Sequence, residues 1–460
     1  MSDPVTWDAG LVSRYDHAGP LYRAYPGPAQ YHDAISPRDL GAALENCGRL
    51  ERPLSLYIHI PFCASACHHC SRTRLITRDR SRVQSYLAAL YQEMELVSSH
   101  LQGRSSVERL HLGGGTPTLL DHGELAELMG RLRRHFRLRA DDNAVYSVSI
   151  DPREADWSTL GQLRELGFNH LHLEVPDLDQ RVLLAVNRRQ NPDQTRTMMD
   201  AARALAYRSV SMDLLYGLPG QTSASFARTL DQAVAMKPDR LSLHRYLHRP
   251  ERHAPQRHIR AAELPGRDEC LSIFGSALHR LQQADYRFIG MGQFAMPDDS
   301  LSLAREAGML IYGLQGYVAG VECDLIGLGA SAISRVGGVC WRNDRDVERY
   351  RRKLSYPQLA ADQGRVLTTD DRLRRVVIQQ LLCRLRLDYR DIEQRFGIDF
   401  QIYFADCQAA LRQMDQDGLI RLAAQGIEVL PAGWPLVARV CSVFDAYLPV
   451  GAQPVHAQII

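Results

Sequence analysis

Residues 55–70 read SLYIHIPFCASACHHC, and the placement of this stretch decides the fold. SLYIHI is a short run of β-formers. After Pro61 it gives way to a loop holding Cys63, Cys67 and Cys70 in the order C-x3-C-x2-C. Behind the loop, SRVQSYLAALYQEMELVSSHL has helical spacing. The unit then recurs. VERLHLG precedes HGELAELMGRLRRHF, AVYSVSI precedes WSTLGQLRELG, and HLHLEVP precedes QRVLLAV and a helix near 193–207. VSMDLLYG precedes SASFARTLDQAVAM, and DRLSLHRY supplies a sixth strand. Strands alternating with helices at this rhythm predict an α/β fold with a parallel sheet and right-handed crossovers. Six units suit a partial (β/α)6 TIM-like barrel; periodicity alone leaves a doubly wound open sheet as the other arrangement.

Around this unit the chain divides into three. Residues 1–50 hold turn formers and aromatics, as in YDHAGPLYRAYPGP, and read as an N-terminal arm packed on the remainder of the chain. Residues 51–355 form the barrel and its extension. From 356 to 460 the pattern becomes helical: TTDDRLRRVVIQQLLCRL opens with capping residue types, YRDIEQRFG and FQIYFADCQAALRQMDQDG come next, and LIRLAAQGIEVLPAG reads as a hairpin turning at Gln425-Gly426. This C-terminal domain is winged-helix-like. It lacks a basic recognition helix, so the expectation is packing on the barrel rather than binding nucleic acid.

Composition narrows the function classes. The chain has 460 residues, 45% of them apolar, and a net charge of +2, which argues against a general affinity for nucleic acid or membrane. Of 55 basic residues all but Lys237 and Lys353 are arginine, a bias that codon usage explains more simply than ligand chemistry. No stretch approaches the ~20 apolar residues of a membrane span. The opening MSDPVTWDAG lacks the order of a signal peptide, so a cytoplasmic location is expected. In a reducing compartment clustered cysteines point to metal or redox chemistry, and the scattered ones to core packing.

Three thiolates are one fewer than a four-iron cube or a tetrahedral zinc requires. His68 or His69 could be enlisted for zinc, but adjacent residues on one short loop fit tetrahedral geometry poorly. An iron–sulfur cube held by three cysteines leaves one iron open. The loop directly follows a strand of a parallel sheet, beyond whose carboxyl ends active sites lie, and this context favours the open cluster. LGGGTPTLL, residues 112–120, stands at the end of the next strand, with three glycines to admit a ligand and the Thr116 hydroxyl.

With these residues in hand the chain resembles the radical S-adenosylmethionine enzymes and, within them, the oxygen-independent coproporphyrinogen III oxidase family. The likeness runs through YDHAGPLYRAYPGP, LYIHIPFC, GGGTPT, DPRE, VNRRQ, DLLYGLPGQT, FIGMGQFAMPDD, LQGYVAG, IGLGASAIS and RLRLDY, nearly the whole length. It implies a [4Fe-4S] cluster on Cys63, Cys67 and Cys70, with S-adenosylmethionine as ligand of the fourth iron. An electron from the cluster would cleave the sulfonium to methionine and a 5′-deoxyadenosyl radical. That radical would take hydrogen from a propionate of coproporphyrinogen III, and loss of carbon dioxide and an electron would leave a vinyl group. Two rounds would give protoporphyrinogen IX.

The resemblance further implies that Tyr57, the backbone at His69, Gly114 and Ile333 border the first S-adenosylmethionine. Gly115, Thr116, Arg188, Asp213 and the Leu247 backbone fall at contacts of a second. Tyr22, Tyr25 and Gln315 align with substrate-side motifs. A monomer and an unidentified electron donor are also implied. Four departures stand out. Arg72 occupies the position of an extra cysteine, Ser149 that of a glutamate, and Gln293 that of the histidine in MDHFA; GVQDF reads EVPDL, with Pro176 for glutamine. Proline removes a side-chain amide and a backbone donor. These changes bring two alternatives into view. One is a diverged paralogue with other radical chemistry on a tetrapyrrole, such as methyl transfer; the other is a non-catalytic heme-binding or trafficking protein.

Overall fold

A computed structural model describes residues 5–16, 19–32, 35–141 and 143–448. His17 and Ala18 of the arm motif lie outside the described residues. Six strands, Leu54–Ile60, Ser106–Gly114, Val145–Ile150, His170–Glu174, Ser209–Tyr216 and Arg240–Arg245, lie side by side in chain order. Every pairing among them is parallel. The expected helices connect them, led by Arg80–Leu101 and His122–His135.

The barrel is open because both of its edges are taken. The first strand pairs on its free side with Asp324–Leu328, again parallel. The sixth pairs antiparallel with Gln293–Ala295. Beyond Asp324–Leu328 the sheet continues through Ile333–Val336, Val339–Asn343 and Ala361–Val366. Covering both edges moves the outer strands of the sheet to Arg287–Gly290 and Ala361–Val366, away from the barrel.

Alternation along the six strands separates two faces. Leu56, Ile58, Ile60, Leu110, Leu112, Val148, Ile150, Leu171, Leu173, Val210, Met212 and Leu214 are at most 1% exposed and belong to the main core. Leu90 and Met94 of the first helix and Leu128 of the second belong to the same core, on the helical side. Burying each such side chain is worth about 2 kcal/mol. The intervening residues face the inside of the barrel and are polar.

The arm holds a helix that the sequence pattern did not announce. Pro37–Arg49 starts at Ser36, whose hydroxyl accepts the Arg38 N–H at 3.2 Å. It lies so close to the first barrel helix that a methyl on Gly48 would stand 2.1 Å from the Leu101 carbonyl. Its two internal glycines lower helix propensity, and packing supplies what propensity lacks.

In the C-terminal region, Thr369–Arg384 begins with a reciprocal cap between Thr368 and Asp371. The hairpin pairs Ile420–Ala423 with Gly426–Val429, so it turns one residue earlier than expected, and Arg386–Asp388 adds a third strand. The region packs on a separate hairpin, Leu310–Gly313 with Gly316–Ala319: Tyr317 donates its hydroxyl to the Leu382 carbonyl at 2.8 Å.

Candidate active site

The cysteine loop leaves the first strand at Pro61 and is tied to the second strand by backbone bonds. Gly115 N–H donates to the Ile60 carbonyl and Thr116 N–H to the Phe62 carbonyl, both at 2.7 Å. The glycines before Thr116 prove necessary for this contact. Gly114 has φ +106°, and a methyl there would lie 2.6 Å from His59 Nδ1; one on Gly115 would lie 2.4 Å from the Phe62 carbonyl oxygen. The expected close approach is thus made to the protein's own first strand and loop.

The loop opens on a cavity of about 440 Å³ at the carboxyl ends of the strands. Cys63, Cys67, His69, Cys70, Gly114, Gly115, Thr116, Arg188, Asp213 and Leu247 all line it, which brings together ten of the twelve expected site residues. The other two, Tyr57 and Ile333, line a second cavity of about 400 Å³ inside the barrel. The two share Arg72, Gly114, Asp213 and His244 as walls.

The cysteine sulfurs sit among donors. The Thr116 hydroxyl points to Cys63 Sγ at 3.7 Å, while Arg153 and Arg188 reach Cys67 Sγ at 3.5 and 3.7 Å. Burial pushes the Cys63 thiol up; the Thr116 hydrogen bond and the Arg74 charge oppose it. Hydroxyl and guanidinium donors stabilise thiolate, the form in which cysteine binds metal. These residues fit an iron–sulfur cluster held by Cys63, Cys67 and Cys70. Among the described residues no three His, Cys, Asp or Glu side chains converge closely enough to hold a single ion. His68 instead stacks on His258 at 4.7 Å. His69 has a buried Nδ1 without a partner, and its carbonyl accepts from Gln256 Nε2 at 3.3 Å.

Arg188 lines the cysteine cavity and is held by the protein itself. It is 2% exposed and grips Asp151 with both terminal nitrogens at 3.2 and 3.1 Å. It also donates to the Glu174 carbonyl at 2.6 Å and the Gln190 side chain at 2.7 Å. With Cys67 Sγ, these acceptors occupy all five of its N–H groups. Arg153 completes the cluster of charges by pairing with Asp151 at 2.7 Å. Asp151 and Arg153 belong to DPRE, so this motif braces the cysteine loop through Cys67.

Two departures from the family pattern meet each other. Arg72, in place of the extra cysteine, forms an ion pair with Glu174, which replaces the glycine of GVQDF. Arg72 also reaches the Gly114 carbonyl at 3.5 Å. Ser149 bonds to His111 Nε2 at 3.3 Å, and Gln293 accepts the Tyr317 N–H at 2.7 Å. Pro176 keeps its carbonyl on the Leu215 N–H at 2.9 Å.

The barrel interior carries a feature that hydrophobic period and motif spacing do not reveal. His59, His111, His170, His172 and His244 line it, interleaved with Ser147, Ser149, Ser211 and Ser242. His111 Nδ1 meets Ser147 Oγ at 2.8 Å, and His172 Nδ1 meets Ser211 Oγ at 2.6 Å. The Tyr57 hydroxyl lies 3.1 Å from His59 Nδ1. Burial depresses all five imidazoles, His59 and His244 to about 4. Asp213 opposes this at His172 and His244, standing 4.0 Å from His244 Nε2. The signal was present as His and Ser at alternate positions of RLHL, YSVS, HLHL, SVSMD and LSLH.

Comparison with known proteins agrees with this geometry. Residues 57–233 match the family model of the Radical SAM superfamily, and residues 367–436 that of the HemN C-terminal domain. An oxygen-independent coproporphyrinogen III oxidase of Pseudomonas aeruginosa is 50% identical over 98% of both chains. The chain belongs to that family. The Escherichia coli K12 member is 39% identical over 96% of both chains. The structure of coproporphyrinogen III oxidase (HemN) from Escherichia coli, described as a radical SAM enzyme, superposes with a TM-score of 0.91 at 37% identity. It covers 97% of this chain and 100% of that one. The open sheet is therefore the radical SAM partial barrel, and family membership brings with it a [4Fe-4S] cluster and S-adenosylmethionine. No helix among the described residues is long and apolar enough to cross a membrane.

Proposed function

We infer that this chain is an oxygen-independent coproporphyrinogen III oxidase, converting two propionates of coproporphyrinogen III to vinyl groups. The observation that carries the reading is the cavity on which Cys63, Cys67 and Cys70 open beside the glycine motif, in a chain related end to end to that family. When bound, cluster and S-adenosylmethionine supply a hydrogen-abstracting radical; each propionate then loses one hydrogen atom, carbon dioxide and one electron, the last to an external acceptor.

The protein's own part is binding and orientation. Cys63, Cys67 and Cys70 hold the cluster. Arg153 and Arg188, both locked on Asp151, orient Cys67 and supply positive charge beside its sulfur. Tyr57, Gly114, Ile333 and the His69 backbone border S-adenosylmethionine. Gly115, Thr116, Leu247 and Asp213 extend that surface, the Asp213 carboxylate offering an acceptor to an ammonium or hydroxyl. Arg188, with its donors committed, acts by positioning rather than by contact. Tyr22, Tyr25 and Gln315 stand on the substrate side, where the Gln315 amide has a buried, unpaired nitrogen. A monomer in the cytoplasm, served by an electron donor yet to be identified, completes the reading. The ten free cysteines suit that reducing compartment.

Anaerobic turnover of reconstituted protein with coproporphyrinogen III, S-adenosylmethionine and a chemical reductant tests this. Vinyl product should accumulate together with about one 5′-deoxyadenosine per propionate lost. Deoxyadenosine without vinyl product would assign the radical to another reaction.

A further inference from the structure

Arg23 holds an unusual place in the arm. Its neighbours Tyr22 and Tyr25 are 2% and 4% exposed and are moored to the C-terminal region. The Tyr22 hydroxyl donates to Asp445 at 3.1 Å, and the Tyr25 hydroxyl accepts the Ala446 N–H at 3.1 Å. Tyr22 itself is held at φ +49°, a left-handed conformation that costs a bulky residue free energy and persists only when its surroundings enforce it. The Arg23 side chain, by contrast, is exposed. It lines both the cysteine cavity and the barrel interior, and also a smaller aromatic cleft containing Tyr25, Tyr31 and Gln315.

Four other arginines that line the cysteine cavity are paired with carboxylates of the protein, and Arg74 donates to the Cys67 carbonyl. Arg72 meets Glu174, Arg153 and Arg188 meet Asp151, and Arg245 meets Asp16. Arg23 bonds to the Tyr312 hydroxyl, which in turn donates to the Leu21 carbonyl at 3.0 Å. Among the described residues no carboxylate pairs with Arg23. A fixed guanidinium facing a cavity, with donors to spare, is suited to a ligand carboxylate.

We propose that Arg23 binds a side-chain carboxylate of the tetrapyrrole, fixing which edge of the macrocycle faces the cysteine loop. This rests on the function inferred above. The carboxylate of S-adenosylmethionine offers the same chemistry. The tetrapyrrole is favoured because Arg23 stands where three cavities join, one of them the aromatic cleft suited to a flat apolar ring.

The test is anaerobic titration of cluster-reconstituted wild type, Arg23→Leu and Arg23→Lys with coproporphyrin III, its tetramethyl ester and S-adenosylmethionine, read by porphyrin fluorescence and cluster spectroscopy. Arg23→Leu should weaken the tetra-acid about tenfold, Arg23→Lys by much less, and S-adenosylmethionine should bind all three alike. The ester should not distinguish wild type from Arg23→Leu. Unchanged affinity of Arg23→Leu for the tetra-acid, or a loss confined to S-adenosylmethionine, would overturn the assignment while leaving the oxidase reading intact. Selective loss of the tetra-acid in a protein that yields no vinyl product would uphold the carboxylate site and sink the reaction. A wild type that binds no porphyrin would end both.

Discussion

The mouth of the barrel and its interior are built from opposite electrostatic strategies, though they share a wall. At the mouth, most arginines are held by an anion or a carbonyl: Arg188 and Arg153 on Asp151, Arg72 on Glu174, Arg74 on the Cys67 carbonyl. Deeper in the barrel, five histidines line a cavity in which Asp213 is the one carboxylate among the described residues, and burial lowers their affinity for a proton. The mouth therefore suits thiolate-bound iron and carboxylates, while the interior offers neutral donors and acceptors. What a buried polar group does here is set by its neighbours more than by its own chemistry.

The comparison can be attacked at four points. The largest effect is expected at the cluster: Cys67→Ala should abolish the charge-transfer absorbance of the reconstituted protein and all turnover. Full absorbance in that variant would refute the ligand assignment. Next, Arg188→Met should strand Asp151 with Arg153 alone, costing about 3–5 kcal/mol in denaturant unfolding. A loss below about 1 kcal/mol would show that the mouth does not depend on that pair.

The interior predicts a pH effect. His59 is depressed to about 4 when folded, so between that value and about 6.5 the unfolded chain binds more protons and stability rises with pH. At pH 5 the protein should be about 2 kcal/mol less stable through His59 than at pH 8, and His59→Gln should flatten that slope. An unaltered slope would show that His59 titrates alike in the folded and unfolded chain. The smallest effect concerns the shared wall. Arg72 and Glu174 are partly exposed, so a double-mutant cycle with Arg72→Ala and Glu174→Ala should give a coupling of about 1 kcal/mol or less. Zero coupling would make the two substitutions independent.

Much of this molecule was legible in one dimension. All six barrel strands and their helices follow from hydrophobic period, since each element buries one face against the same sheet. The cluster loop and the glycine motif also stood out, because their spacing is local. What escaped was fixed by distant partners. Helix Pro37–Arg49 depends on its fit against Leu101, and the strands from Arg287 to Val366 depend on the barrel edges they cover. The pairing of Arg72 with Glu174 joins residues about a hundred positions apart, so neither motif alone discloses it. The histidine ring failed to register for a similar reason. A His or two on one strand is ordinary, and only the parallel sheet gathers five of them around one cavity.

Cohesion of the barrel comes from its outer layer, where Leu56, Ile58, Leu110, Leu112 and their counterparts meet the helices. The inner lining is thereby relieved of holding the chain together. Residues there can be exchanged in groups without loosening the shell, which gives this scaffold latitude to acquire new selectivities while its architecture stays as it is.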